Sequence, residues 1–189
     1  MLKDTDDHFT DRALIKAASN GDMRAFGSII EKTEGLVTQI IFKMVLNSAD
    51  RKDMLQEVYL KIFKNLPTFK FQAKLSTWAA SITYHTCFDY LKRKRLVLLE
   101  DYAAHELVVS GETERGLMNS ELSLILSMAM ERLSPVYQTL ITLYHHEELS
   151  YEEITEVTGL PAGTVKNYLF RARAALKQSV LKNYKREEL

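Results

Sequence analysis

Apolar residues recur at three- and four-residue spacing along almost the whole chain, the period of helices with one buried face. Residues 11–20 predict a short helix. Asn20-Gly21-Asp22 breaks it, and Asp22 is placed to cap the next one. Phe26, Ile29, Ile30, Val37, Ile40, Ile41, Met44 and Val45 continue the pattern until Asn47-Ser48-Ala49-Asp50 interrupts it. A third helix carries Leu55, Val58, Tyr59, Ile62, Phe63 and Leu66 on one face and is expected to stop at Pro67. After a loop over 67–75, Ser76 is expected to cap a helix bearing Trp78, Ile82 and Leu91. That helix is expected to end in Lys92-Arg93-Lys94-Arg95, where cations suit the helix dipole.

Between 96 and 118 the period is lost, acidic residues accumulate and Gly111 and Gly116 appear, so a linker is expected. Beyond it, Leu122, Ile125, Leu126, Ala129 and Leu133 form another apolar stripe. Ser134-Pro135 starts a further helix, because Pro suits the first helical position and Ser the cap. Ser150-Tyr-Glu-Glu153 reads as a capping box, Gly159 stops that short helix, and Thr164 is expected to cap a last long helix to about Lys182. No strand pattern and no internal repeat stand out. The expectation is an all-α chain: a first helical domain over 1–98, an acidic linker over 99–119 and a second helical domain over 120–189.

Composition narrows the class. Seven Gly and three Pro in 189 residues favour long uninterrupted helices over a turn-rich β-fold. The single cysteine, Cys87, cannot form an internal disulfide, which points to a reducing compartment. The acidic start, Met1-Leu-Lys-Asp-Thr-Asp-Asp, has no apolar stretch behind it and no run approaches bilayer length, so a cytoplasmic protein without membrane insertion is expected. Net charge is zero, but the charges are segregated. Residues 61–99 hold eight basic side chains and one acidic, and 164–189 hold seven basic and two acidic. The stretch between them is strongly acidic. Two basic blocks of this kind raise the odds of a polyanionic partner.

The most specific stretch is Leu149 to Lys177, where a short helix, a turn at Gly159 and a second helix spell a helix-turn-helix. Ile154, Val157, Leu160, Val165 and Leu169 are its expected core. The second helix carries Lys166, Asn167, Phe170, Arg171 and Arg173 with no acidic residue until Glu187, the chemistry a helix needs to enter a major groove. Glu147, Glu148, Glu152, Glu153 and Glu156 precede it and repel phosphate, so one side only is expected to face DNA. In the first half, Asp53, Gln56, Glu57 and Leu60 share a face opposite the apolar stripe of their helix. Phe69, Phe71, Trp78, Tyr84, Phe88 and Tyr90 interleave with Lys70, Lys74, Lys92, Arg93, Lys94 and Arg95. Aromatic faces stack on unpaired bases while cations follow the backbone, which is how single strands are held. Several of these aromatics must be core, with Trp78 and Phe88 the first choices.

An enzyme is disfavoured. His145-His146-Glu147-Glu148 offers one pair on a shared helical face, His145 with Glu148, where a catalytic metal needs three protein ligands. No catalytic constellation, metal site or cofactor motif is legible. A stand-alone helix-turn-helix regulator with an N-terminal dimerisation or ligand domain is the alternative, but it leaves the aromatic-basic segment 69–95 and the Asp53/Gln56/Glu57 face unused.

Asn20-Gly-Asp-Met-Arg-Ala-Phe26, Asp53-Met-Leu-Gln-Glu-Val58, Phe69 through Thr77-Trp78, and Asp89-Tyr-Leu-Lys-Arg93 resemble region 2 of bacterial RNA polymerase sigma factors. Leu133-Ser-Pro-Val-Tyr137, Leu149-Ser-Tyr-Glu-Glu-Ile154 and Gly163 through Arg173 resemble region 4. A short acidic linker with no third domain is similar to the extracytoplasmic-function (ECF) class. The resemblance covers roughly nine-tenths of the chain, with two motif sets in the family's order. It implies that Asp53, Gln56, Glu57 and Leu60 dock on core polymerase. It implies that the loop 67–75, with Phe69, Lys70, Phe71 and Lys74, captures a flipped base of the minus-ten element, beside Thr77, Trp78, Tyr84, His85, Asp89 and Arg93. Thr164, Lys166, Asn167, Phe170 and Arg171 match the helix that reads the minus-thirty-five element, with Arg173 on phosphate. An anti-sigma partner is also implied. Three positions depart from the family: His85 stands where Asn is usual, Thr155 replaces a small Ala, and Tyr168 stands where a basic residue is common. The last brings one expected phosphate contact into question.

Overall fold

The computed structural model describes the backbone of residues 3–101 and 121–187 and the side chains of 11–94 and 124–181; all regular structure among these is helical. Most of the expected linker lies outside the described residues. The first domain comprises α1 (Lys3–Ser19), α2 (Met23–Met44), α3 (Ser48–Asn65) and α4 (Leu75–Asp101), and the second α5 (Glu121–Glu131), α6 (Pro135–His145), α7 (Tyr151–Thr158) and α8 (Ala162–Glu187).

The caps do what their chemistry requires. Asp22 Oδ1 accepts from the N–H groups of Arg24 (2.9 Å) and Ala25 (3.2 Å), satisfying donors that the first turn of α2 leaves open. Asn47 Oδ1 does the same for Ala49 at 3.1 Å. Ser134 Oγ accepts from Tyr137 N–H at 3.4 Å, with Pro135 opening α6. Ser150 Oγ accepts from Glu153 N–H at 3.1 Å while Glu153 Oε2 accepts from Ser150 N–H at 2.9 Å, a complete capping box. Gly159 ends α7 in the left-handed region at φ +68°, a conformation that costs any residue with a Cβ.

Several boundaries differ from the sequence reading. α1 begins at Lys3, well before residue 11. Pro67 lies in a 3-10 turn, Leu66–Thr68, that follows α3. α4 begins at Leu75, with Trp78 N–H bonded to the Lys74 carbonyl at 3.0 Å, so Ser76 is in the first turn and is not the cap. α4 then continues past Arg95 to Asp101, because Leu96-Val97-Leu98-Leu99 offers good helix formers and no Gly or Pro intervenes. The basic run 92–95 is therefore internal, and the dipole argument for it falls away. α8 begins at Ala162, where the Pro161 carbonyl accepts from Thr164 (2.8 Å) and Val165 (3.0 Å), so Thr164 is not its cap. On α5, Ile125 and Ala129 are buried but Leu126 is 45% exposed, one step round the helix from the stripe assigned to it.

The two domains are packed together. α2 is the centre of the first, against α1, α3 and α4; α6 lies on α2 and α7 on α4. Six successive α6 residues, Gln138 to Leu143, are all buried. Six residues at 100° each go fully round a helix, so α6 is enclosed between α8 of its own domain and α2 of the other. Its polar side chains are satisfied locally: Gln138 Nε2 donates to the Leu133 carbonyl at 2.9 Å and Thr139 Oγ1 to the Pro135 carbonyl at 2.9 Å. The buried apolar residues, apart from Ile125 and Ala129 of α5, form one core that runs through both domains.

Candidate nucleic-acid interface

On α3, the buried Met54, Val58 and Ile62 face the core, which turns Asp53, Gln56 and Leu60 outward. Leu60 is 59% exposed, a large apolar side chain left in water beside polar groups. Glu57 is half-buried and pairs with Lys61 at 2.8 Å, one turn on, so it leans toward α4 and not straight outward. Three of the four residues thus present a common polar-apolar face, with Glu57 at its edge.

The segment after α3 gathers three aromatic rings. Phe69 lies with its centroid 4.7 Å from Phe71 and 4.9 Å from Trp78. Phe71 is held at φ +56°, and the Arg12 guanidinium from α1 stacks over its ring at 5.0 Å. Nothing in the local pattern points to Arg12, since it comes from a distant helix. Beside the rings is a recess of about 370 Å³ lined by Phe69, Lys70, Gln72, Thr77, Trp78 and Glu156 among others, within the roughly 300–1,000 Å³ typical of ligand sites. Lys70 is exposed while Thr77, at 1% exposure, shows only a buried wall. The aromatic assignment requires correction: the buried rings are Phe69 and Tyr84, whereas Trp78 and Phe88 are half-buried at the edge of the core. Helical period alone could not rank them, because the second domain supplies part of the cover.

Along α4, Tyr84 is 3% exposed and packs against His85 (5.6 Å) and Phe88 (6.1 Å). Burial, with Tyr168 nearby, pushes its phenol up to about 12, so it stays neutral. His85 is exposed and reaches the second domain; a Cβ placed on Gly159 would lie 3.5 Å from its Cε1. Asp89 and Arg93 are exposed further along the helix. Tyr90 donates to Asp50 and receives Lys94 Nζ at 3.0 Å, joining α3 to α4. That bond, with Lys94 close by, holds the Asp50 carboxyl below its usual range.

On α8, Val165, Leu169 and Ala172 are buried, so Lys166, Asn167, Phe170 and Arg171 stand out, with Phe170 72% exposed. Thr164 is half-buried in the first turn. Arg173 departs from this set: its Nε donates to His145 Nε2 at 3.2 Å and its guanidinium lies over Tyr144 at 4.8 Å, tying it back to α6. Burial and the Arg173 charge hold His145 below its usual value. Tyr168 does not stand on the outward face. It meets Tyr137 at 5.5 Å and lines a cavity of about 340 Å³ between the domains, together with Tyr84, His85 and Leu160. At this position the side chain packs between helices and makes no outward contact. Thr155 is accommodated by donating to the Tyr151 carbonyl at 2.9 Å.

Among the described residues no group of three His, Cys, Asp or Glu side chains could hold a metal ion, and no helix is long and apolar enough to cross a membrane. The Cys87 thiol is buried and pushed up to about 12, far from a reactive thiolate.

Residues 29–97 match the family Sigma-70 region 2, and residues 123–176 match Sigma-70, region 4. The chain is 27% identical over 184 residues to the ECF RNA polymerase sigma-E factor of Haemophilus influenzae, covering 92% of this chain and 97% of the relative. It is 29% identical over 176 residues to the ECF RNA polymerase sigma factor SigW of Bacillus subtilis, covering 88% and 94%. Its fold is similar to that of the sigma factor RpoE solved with the anti-sigma factor NepR from Bartonella quintana, with TM-score 0.64 and 22% identity over 83% of this chain and 96% of that one. CnrH, solved with the cytosolic domain of CnrY, gives TM-score 0.61 at 20% identity over 89% and 96%. A stand-alone regulator would not account for the region 2 match. With both regions in order and relatives of that class spanning most of its length, the chain belongs to the sigma-70 family, as an RNA polymerase sigma factor of the ECF class.

Proposed function

We propose that this sigma factor divides promoter recognition between its two domains, with residues 1–98 and 120–189 as the working units and 99–119 as their tether. Asp53, Gln56 and Leu60, with Glu57 at the edge, form the docking face for core polymerase, where carboxylates meet cationic side chains through charge-assisted hydrogen bonds. Lys70 and Lys74 follow the phosphates of the melted minus-ten strand, a flipped base enters the recess by Phe69, Thr77 and Trp78, and Tyr84, His85, Asp89 and Arg93 extend the contact along α4. Lys166, Asn167, Phe170 and Arg171 enter the major groove of the minus-thirty-five duplex, with Thr164 at the helix start. Arg173 reaches phosphate only after leaving His145.

The observation that carries this reading is the outward face of α8, where four groove-reading side chains, one of them a strongly exposed Phe, stand together after a Gly-ended turn. Binding through two domains linked on the polymerase makes the second contact intramolecular and raises its effective concentration. The protein itself does no chemistry in this scheme; it supplies specificity to the polymerase, in the cytoplasm, and is held in check by an anti-sigma partner, a reading supported by the complex of the similar RpoE with the anti-sigma factor NepR.

The test is anisotropy of labelled protein titrated with sigma-free core RNA polymerase. Saturable binding, weakened by charge reversal at Asp53 and Glu57, is expected. Absence of binding by a folded protein that still grips duplex DNA would overturn the assignment.

A further inference from the structure

Glu153 and Glu156 are three residues apart on α7 and so share one helical face. That face lies against α4. Glu153 Oε1 is 3.1 Å from Lys74 Nζ, and Glu156 helps line the recess that Phe69, Lys70, Thr77 and Trp78 also form. The Ser150 N–H and the Lys74 ammonium hold the Glu153 carboxyl below its usual range, so it is ionised at neutral pH. The second domain therefore places one carboxylate on a lysine of the basic-aromatic segment and a second acidic residue in the wall of the recess beside it.

We propose that α7 is an intramolecular stand-in for nucleic acid: its carboxylates answer the lysines that the phosphates of a single strand would otherwise meet. The inference rests on the reading of 67–75 as the strand site. In the packed arrangement α8 keeps its outward face exposed, while Tyr84 is buried and Glu156 lines one side of the recess. The protein as described is thus open to duplex and partly obstructed toward the melted strand. A strand must displace Glu153 from Lys74 and meet Glu156 at close quarters, so its apparent affinity is reduced by the fraction of protein in the closed form. Lys74 is largely exposed, which makes this ion pair a modest bias and not a lock.

The test compares the full chain with the double variant Glu153→Gln and Glu156→Gln. Gln at the third helical position still serves a capping box, so α7 keeps its start; Glu156→Gln alone, which touches no cap, is measured alongside. The probe is a fluorescein-labelled pool of random-sequence single strands about ten nucleotides long, read by anisotropy at low salt. The double variant is expected to bind about fivefold tighter. A control carrying Glu31→Gln and Glu34→Gln on α2, the same change in net charge, is expected to show no such gain. Equal affinity in variant and parent, or an equal gain in the control, overturns the inference. Adding Lys70→Ala separates the two levels. If it weakens strand binding but the Gln variants show no gain, the strand site stands and the stand-in is refuted; if it changes nothing, the strand-site reading falls and the inference with it.

Discussion

Arg171 and Arg173 are two residues apart on α8 and face different surroundings. Arg171 is exposed beside Asn167 and Phe170, whereas Arg173 donates to His145 and lies over Tyr144. Arg171→Ala is expected to cost about 1–3 kcal/mol in binding a selected minus-thirty-five duplex and to relax preference at one position, measured by competition between duplexes. Arg173→Ala is expected to leave base preference in place and to lower stability instead. The His145 contact also sets a pH dependence. Nε2 accepts from arginine only in the neutral ring, and the histidine value is held below 6.5. A histidine depressed in the folded protein contributes stability that is complete above its unfolded value and is lost as pH falls through the folded one. Melting temperature is therefore expected to decline below about pH 6.5, and less steeply in His145→Gln.

At the scale of the element, the helix-turn-helix depends on its cap and its left-handed stop. Ser150→Ala removes the acceptor for Glu153 N–H and is expected to cost about 1 kcal/mol. Gly159→Ala meets ordinary contact at His85, so its expected cost of about 1–2 kcal/mol comes from the backbone at φ +68°. Thr164→Ala is expected to cost less than either, because the Pro161 carbonyl already organises that turn. Urea unfolding of the three variants checks the order. Ser134, Ser150 and Gly159 were legible because each acts on atoms within a few residues. Ser76 and Thr164 have the right chemistry for caps one or two residues inside the true helix starts, a register that side-chain type does not settle. The continuation of α4 beyond Arg95 follows from propensity, which acid and lost periodicity obscured.

For the whole molecule, the enclosure of α6 is expected to make the two domains one cooperative unit. Leu140, fully buried, is expected to cost about 2–5 kcal/mol when replaced by Ala. The protein holds one tryptophan, Trp78, in the first domain, so its fluorescence reports that domain while far-ultraviolet circular dichroism reports all helices. The two unfolding curves are expected to coincide. A first transition seen only by circular dichroism would mean that the second domain melts separately and that the packing of α6 on α2 contributes little.

Helical period, the caps at Asp22, Ser134 and Ser150, the segregation of charge and the order of the two motif sets were legible in the chain itself. So were the outward residues of α8, because burial of Val165, Leu169 and Ala172 on one face leaves Lys166, Asn167, Phe170 and Arg171 on the other. The tertiary structure alone decided which aromatics are covered, that Tyr168 packs on Tyr137, that Arg173 is tied to His145, and that Glu153 meets Lys74. Each of these contacts joins residues far apart in sequence, across helices whose relative placement depends on the whole core. A local pattern records which face of a helix is apolar; it carries no record of what that face will meet.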